Sequence, residues 1–301
     1  MTGEIPADRA TQTFLDQREL LFAMVYNLLG TVADTEDVLQ ETWLAWSARS
    51  RSPAAEPIGN PRAYLVRIAV NQAMTRQAAI KRRRETYVGP WLPEPLVTPV
   101  AGDGPDPPAA AERTEALSMA LLVVLETLTP LERAVFVLHE VFGYAHPEIA
   151  EILGRTPVAV RQVAHRAREH VQARRPRYEP GLAVREAVTE RFLAALIGGD
   201  LEAFLRLLAP DVTVWADGGG KARALLRPVS GRDGSARLLA GIAGRIPEGL
   251  DVRRRRVNGD PSVVLVSGAS VFVIVLDLTP GGDQVAGVYI VTNPDKLSRV
   301  D

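Results

Sequence analysis

The sequence predicts a multidomain protein: two all-α domains followed by an α+β domain. Three observations carry that prediction. Apolar residues recur at helical spacing through the first 84 residues and again through about residues 112–173. A proline-, glycine- and acid-rich stretch separates those two blocks. After Tyr178, helical patterns give way to short apolar runs parted by Gly, Pro and Asp turns. The boundaries read as a helical domain over 1–84, a linker over 85–111, a helix-turn-helix domain over 112–178 and an α+β domain over 179–301.

The elements follow in order. "FLDQRELLFAMVYNLLG" reads as one helix that stops at Gly30. "DTEDVLQETWLAWSAR" reads as a second, with Asp34 as its N-cap and acids in the first turn, where the helix dipole favours them. A polar, proline-bearing loop runs from Ser47 to Asn60. The third helix starts with Asn60 as cap and Pro61 at its first position, and extends to about Arg84. "YVGPWLPEPLVTPVAGDGPDPPAAAE" is a linker by composition. Tyr87, Val88, Trp91, Leu92 and Leu96 give its first part more apolar surface than a spacer needs, so that part is expected to dock on something.

"LTPLERAVFVLHEVFG" has Thr129 as cap and Pro130 at the first position. "AHPEIAEILG" is a short helix closed by Gly154, and "RTPVAVRQVAHRAREHV" repeats the cap logic with Thr156 and Pro157. Two helices joined by a short turn at Gly154 have the spacing of a helix-turn-helix. In the last domain "LAVREAVTERFLAALIGGD", "LEAFLRLLAPD" and "GRDGSARLLAGIAGRI" read as helices. "VTVWADG", "ARALLRPVSG", "LDVRRRRVN", "SVVLVSG", "SVFVIVLDL" and "QVAGVYIVT" read as strands. Helices followed by a meander of strands predict a curved antiparallel sheet wrapped on helices.

Composition narrows the function classes. The 301 residues are 47% hydrophobic, as in a soluble globular protein, and contain no cysteine, which excludes disulfides, thiol catalysis and zinc–cysteine sites. The N-terminus has no apolar core of a signal peptide, and no apolar run spans a bilayer. A cytoplasmic protein is expected.

The net charge of −1 conceals blocks: −5 over 1–56, +7 over 57–84, −6 over 85–128 and +6 over 155–177, with 15 basic and 15 acidic residues in the last 123. Two basic patches, each beside an acidic stretch, point to polyanion binding in two places; solvated helix faces are the alternative.

The helix after Thr156 divides cleanly. Val160, Val163, Ala164, Ala167 and Val171 share one face at the helical period of about 3.6 residues. Val158, Gln162, His165, Arg166 and Glu169 lie opposite, with Arg161 and Arg168 on the flanks. Such a face can meet base edges and phosphates in a major groove. The helix after Asn60 carries Arg62, Arg67, Arg76, Lys81, Arg82, Arg83 and Arg84, with Asn71 beside Arg67 and with Leu65, Ile68 and Ala69 inward. It suits duplex phosphates or a single strand.

Taken together, "DTEDVLQETWLAW", "PRAYLVRIAVNQAMTRQAAIKRRR" and "LTPLERAVFVLHEVFGYAHPEIAEILGRTPVAVRQVAHRARE" resemble regions 2 and 4 of extracytoplasmic-function sigma factors, over about residues 10–178. The resemblance implies that Asp34, Glu36, Asp37, Gln40, Glu41 and Trp43 bind the β′ clamp helices of core RNA polymerase. It implies that Asn60, Arg67, Asn71, Lys81 and Arg82 melt and read the −10 element. Val158, Arg161, Gln162, His165, Arg166 and Arg168 would read the −35 element while region 4 meets the β flap. Thr75 stands where the family usually has aspartate, and Val163 where it often has a basic residue.

The C-terminal element order resembles a SnoaL-like domain of the nuclear-transport-factor-2 fold, a cone of sheet over helices. With "DGGGK", "YVGPWLPEPL" and "NPDKL", the chain resembles the subgroup of these factors in which that domain is fused and regulates in place of a separate anti-sigma protein. The regulatory contacts implied are Trp91, Pro93, Asp217, Gly218, Gly219, Gly220, Lys221, Asn293, Asp295 and Lys296. Lys221 and Lys296 are expected to pair with Glu94 or other linker acids.

"WADGGGKARA" is not a phosphate loop. Trp215 stands where the Walker pattern needs glycine, and Ala222 where it needs Ser or Thr. The glycines are expected to make a tight turn between strands. All four histidines precede residue 171, so His-based catalysis in the last domain is excluded, though Asp217 or Asp277 remain possible bases. Arg253 to Arg256 alternate on a strand expected to be a solvated edge. No enzyme activity, cofactor or metal is expected. The alternatives are a helix-turn-helix regulator with a ligand-binding domain, which would bind operator DNA unaided, and a cyclase-type enzyme with a shifted, buried carboxylate.

Overall fold

Proline and capping side chains set where the helices begin. The computed structural model describes residues 6–51, 58–100, 116–174, 180–243, 249–268 and 270–300. They fall into two units, Met1–Arg83 with Val124–Arg174, and Arg84–Val123 with Arg175–Asp301.

The first unit holds α1 (Pro6–Leu15), α2 (Arg18–Leu29), α3 (Val32–Ser50), α4 (Pro61–Glu85, which crosses the unit boundary), α6 (Pro130–Phe136), α7 (His146–Leu153) and α8 (Pro157–Gln172). The first helical stretch is two helices rather than one. The chain bends at Asp16–Gln17, where the Gln17 amide donates to the Phe14 carbonyl. The bend lets α1 and α2 both pack on α3: Phe14 meets the Trp43 ring at 5.4 Å, and Trp46 Nε1 donates to the Ala10 carbonyl.

The cap of α3 also differs from expectation. Thr31 has the extended cap conformation, and Asp34 sits inside the first turn, accepting from the Thr31 hydroxyl at 2.7 Å. Asn60 caps α4 as expected, accepting from the Ala63 amide. Thr129 and Glu132 form a reciprocal capping box on α6, which continues as a π-helical turn, Val137–Val141. Thr156 caps α8, and Gly154 closes α7.

The second unit holds β1 (Val97–Pro99), α5 (Met119–Leu125, which crosses the boundary), α9 (Leu182–Gly198), α10 (Leu201–Leu207), β2 (Leu208–Asp217), β3 (Val229–Ser230), α11 (Arg232–Ala243), β4 (Asp251–Val257), β5 (Asp260–Ser267), β6 (Ser270–Leu278), β7 (Val285–Val291) and α12 (Pro294–Leu297). The sheet order is β1-β4-β5-β6-β7-β2-β3. The sheet is mixed rather than wholly antiparallel, because the chain returns through β7 to lie parallel to β2. The expected strand over "ARALLRPVSG" shrinks to Val229–Ser230. Ala224 and Leu225 instead pack on the helical side of the sheet.

Alternation gives the sheet two apolar faces. Val212, Val214, Ala216, Val263, Leu265, Ile274, Leu276, Val288 and Ile290 pack with α9, α10 and α11 around Phe192 and Phe204. Val264, Val273, Val275, Tyr289 and Val291 point the other way. They are covered by Leu92, by Met119 and Ala120 of α5, and by Leu297. The stretch read as linker therefore supplies both an edge strand and part of a core.

Candidate nucleic-acid interface and linker clamp

On α8 the apolar face is buried: Val160, Val163, Ala164, Ala167 and Val171 are at most 7% exposed. Val158 is 60% exposed, and Arg161, Gln162, His165 and Arg166 are exposed with it. Val163 thus belongs to the packing face, so a basic residue there would be buried. Arg168 is half-buried and paired with Glu140. His165 lies 3.4 Å from Glu169.

On α4, Asn60, Arg67, Lys81 and Arg82 are exposed. Asn71 is exposed too, but its amide donates to the Arg67 carbonyl at 2.7 Å and to the Ile152 carbonyl at 2.9 Å. It therefore ties α4 to the end of α7 as well as lying beside Arg67.

The acidic helix α3 is less open than its sequence suggests. Asp34 is 6% exposed and accepts from Thr31, Arg76 and Arg83. Burial alone would raise its pKa, but those hydrogen bonds outweigh burial and hold it below the usual carboxylate value. Glu36 pairs with Arg18, and Asp37 and Glu41 both reach Arg76. Gln40 is exposed, and Trp43 is half-buried against Phe14. One further group holds this unit together. Arg133, 4% exposed on α6, donates to the Asn27 carbonyl at 2.9 Å and to Glu126 at 2.5 Å. Burial brings its pKa down to about 9.

In the second unit, "YVGPWLPEPL" lies against "DGGGK" and "NPDKL". Asp217 ends β2 on the sheet face opposite α9 and is fully buried. Its Oδ2 accepts from the Leu92 amide at 2.8 Å and from Lys296 Nζ at 2.7 Å. Its Oδ1 accepts from the Tyr87 hydroxyl at 2.5 Å and from the Gly219 amide at 3.1 Å. Asn293 donates to the Tyr87 oxygen and caps α12 by accepting from the Asp295 amide.

Lys296, 8% exposed, also donates to the Leu92 carbonyl and lies 4.1 Å from the Trp91 ring centre; Arg84 covers that ring at 3.4 Å. Pro93 is buried next to Leu92. Burial pushes Lys296 from 10.5 down to about 8 against the pull of Asp217, and burial together with the Asp217 hydrogen bond raises Tyr87.

Both lysines have hydrogen-bonded carboxylate partners other than Glu94, which acts on Lys296 as a further nearby charge. Lys296 bonds Asp217, the deepest carboxylate, and Lys221 pairs with Asp295 at 2.6 Å. Gly218, Gly219 and Gly220 form the turn expected of them, although no strand follows directly. Gly219 and Gly220 have φ of +60° and +72°, and a Cβ on Gly219 would lie 2.4 Å from Asn293 Nδ2. Tyr87 and Leu92 were expected to dock and Arg84 was read as part of a basic helix, but their polar roles around Asp217 and Trp91 were not foreseen.

Models of known families match three stretches: Sigma-70 region 2 over residues 14–85, Sigma-70 region 4 over 118–171, and a SnoaL-like domain over 189–295. The ECF RNA polymerase sigma factor SigJ of Mycobacterium tuberculosis is 37% identical over 293 residues, 93% of this chain and 91% of that protein. The chain belongs to the extracytoplasmic-function sigma factors.

The crystal structure of M. tuberculosis SigJ matches 96% of this chain and 98% of its own, with a TM-score of 0.75 at 34% identity. A probable ECF sigma factor from the same species, SigI, is 30% identical over 208 residues, 68% of this chain and 69% of that protein. As a sigma factor the protein binds core RNA polymerase and promoter DNA, with a SnoaL-like domain at its C-terminal end. Among the described residues no helix is long and apolar enough to cross a membrane.

Proposed function

We propose that this sigma factor is regulated from within, by its SnoaL-like domain holding the segment that joins the two DNA-reading regions. The buried Asp217–Lys296 pair closed on the Leu92 backbone carries the reading. In this scheme the exposed face of α8 reads the −35 element from Val158, Arg161, Gln162, His165, Arg166 and Arg168. The helix α4 acts on the −10 element through Asn60, Arg67, Asn71, Lys81 and Arg82. Glu36, Asp37, Gln40, Glu41 and Trp43 meet the polymerase β′ clamp, with Asp34 holding α3 in place for them, and region 4 meets the β flap. The protein acts in the cytoplasm and needs no separate anti-sigma partner.

The SnoaL-like domain works as a clamp rather than as an enzyme. Its helix-packed interior is lined by apolar side chains such as Phe192, Phe204, Val214 and Ile290, while Asp217 faces the other side of the sheet and is occupied there. The test is transcription from a cognate promoter with purified core polymerase, comparing wild type with Lys296→Met. Altered promoter output at equal core binding is expected; identical output would refute the clamp as a regulator. A second outcome separates the enzyme reading, since turnover of a small molecule by the full-length chain would support catalysis.

A further inference from the structure

The α3–α4 groove holds a charge arrangement that neither helix explains alone. Arg76 Nε donates to Asp34 Oδ1 at 3.0 Å, Nη1 to Glu41 at 3.3 Å, and Nη2 to Asp37. Arg83 donates to both oxygens of Asp34, at 2.7 and 2.9 Å. Asp34, Glu41, Arg76 and Arg83 line one open groove of about 750 Å³ together with Asn71 and Arg82. Three carboxylates against two guanidinium groups leave the cluster at −1. With Arg82 on the same lining the groove is not net negative, but Nε, Nη1 and Nη2 of Arg76 are all turned to carboxylates rather than to phosphate. The side chains of Asp37 and Glu41 are 55% and 51% exposed, so a cationic surface can reach them from outside; Arg76, at 26%, lies behind them.

We propose that Arg76 is a DNA-phosphate contact held in reserve by the α3 carboxylates, and that a basic protein surface docking on Asp37 and Glu41 releases it to DNA. The proposal rests on the reading of α3 as polymerase-facing and α4 as DNA-facing. Phosphate offers a guanidinium the same paired acceptors as carboxylate, so the exchange leaves no cation uncompensated. Asp34 stays bonded to Arg83 and Thr31, which keeps α3 on α4 through the exchange. Protein docking and DNA binding then become coupled, and reciprocity requires DNA to raise affinity for the docking partner by the same factor.

The experiment uses full-length protein without polymerase, a labelled promoter fragment and a salt series. The double substitution Asp37→Asn, Glu41→Gln is expected to tighten DNA binding about 5- to 150-fold, the usual span of such couplings. It is also expected to steepen the log affinity–log salt slope by about 0.9, as one further phosphate contact does on a duplex. Adding Arg76→Gln should cancel both changes.

The control is Asp16→Asn with Glu19→Gln. It removes the same charge, while the carboxylates acting on Arg76 are Asp34, Asp37 and Glu41. An equal gain in the control, or a gain that survives Arg76→Gln, overturns the proposal while leaving the surface assignments intact. The assignments are checked separately by Arg67→Ala in the polymerase complex. Undiminished promoter binding there removes α4 from the DNA face, and the proposal falls with it.

Discussion

Replacing Lys296 with methionine keeps the length of the side chain and removes its charge. Asp217 keeps three donors, the Leu92 amide, the Tyr87 hydroxyl and the Gly219 amide, but loses the cation bonded to it. The Leu92 carbonyl loses its Lys296 donor in the same step. Breaking a buried ion pair by removing one partner costs about 3–5 kcal/mol. Charged to the docking of residues 87–96, that weakens docking by roughly 10²- to 10³-fold or somewhat more, at about 1.4 kcal/mol per factor of ten.

Hydrogen exchange at the Leu92 amide measures this directly, because its acceptor is Asp217 itself. Protection of that amide should fall by at least two orders of magnitude. Unchanged protection with an unchanged melting temperature would refute the account of the clamp.

The same lysine gives the docking a pH dependence of defined sign. Lys296 is lowered from 10.5 to about 8 in the docked state, so between those values the undocked lysine binds more protons. Docking therefore strengthens as pH rises from about 8, by at most about 1.4 kcal/mol per pH unit. Tyr87 acts oppositely above its ordinary value of 10.0, because its pKa is raised in the docked state and the undocked phenol loses its proton first. Corrected for intrinsic exchange, protection at Leu92 should rise from pH 8 towards 10 in the wild type and stay flat in Lys296→Met.

Three other substitutions have definite outcomes. Gly219→Ala puts a Cβ into Asn293 at a left-handed φ, so at least about 1–2 kcal/mol should be lost, read as a lower melting temperature of the second unit. Arg133→Met removes a buried cation from the Asn27 carbonyl and from Glu126, and should cost the first unit about 3–5 kcal/mol in denaturant unfolding; Arg133→Lys should recover part of it. Arg161→Ala should reduce the salt slope of promoter binding by the polymerase complex by about 0.9 if the residue meets a phosphate. If it meets a guanine edge, the slope should hold while specificity relaxes at one position by about 1–3 kcal/mol.

Much of this fold was legible because short-range chemistry decides it. Asn60, Thr129 and Thr156 cap the helices that the spacing of their neighbours announces, and the two faces of α8 follow from periodicity alone. The strands β4 to β7 were readable from their β-branched runs. What failed depended on distant partners. The bend at Asp16 exists because α1 and α2 both pack on α3. The run after Gly220 has β-strand composition, but Ala224 and Leu225 pack against the core beneath the sheet instead of joining it. The sites divide the same way. Two of the three clamp segments were visible as odd motifs, a tryptophan in a linker and three successive glycines before a lysine. Their partners were not, since which carboxylate takes Lys296 depends on Asp217 and Leu92 meeting across 125 residues of chain. The self-pairing of α3 and α4 was equally hidden, because Asp34 and Arg76 are 42 residues apart and both look solvated in one dimension.

The strand β1 and the cover over the outer sheet face come from a stretch that precedes the sheet in the chain. Residues 84–123 belong with Arg175–Asp301, whereas the first unit is complete at Arg174. On the ribosome the first unit therefore has all its residues while the residues that hold Leu92 are still unmade. Lys296 emerges 122 residues after Arg174. At about 5–20 residues per second that is a delay of roughly 6–25 s. The Asp217–Lys296 pair, and the hold on Leu92 that depends on it, can form only after that interval.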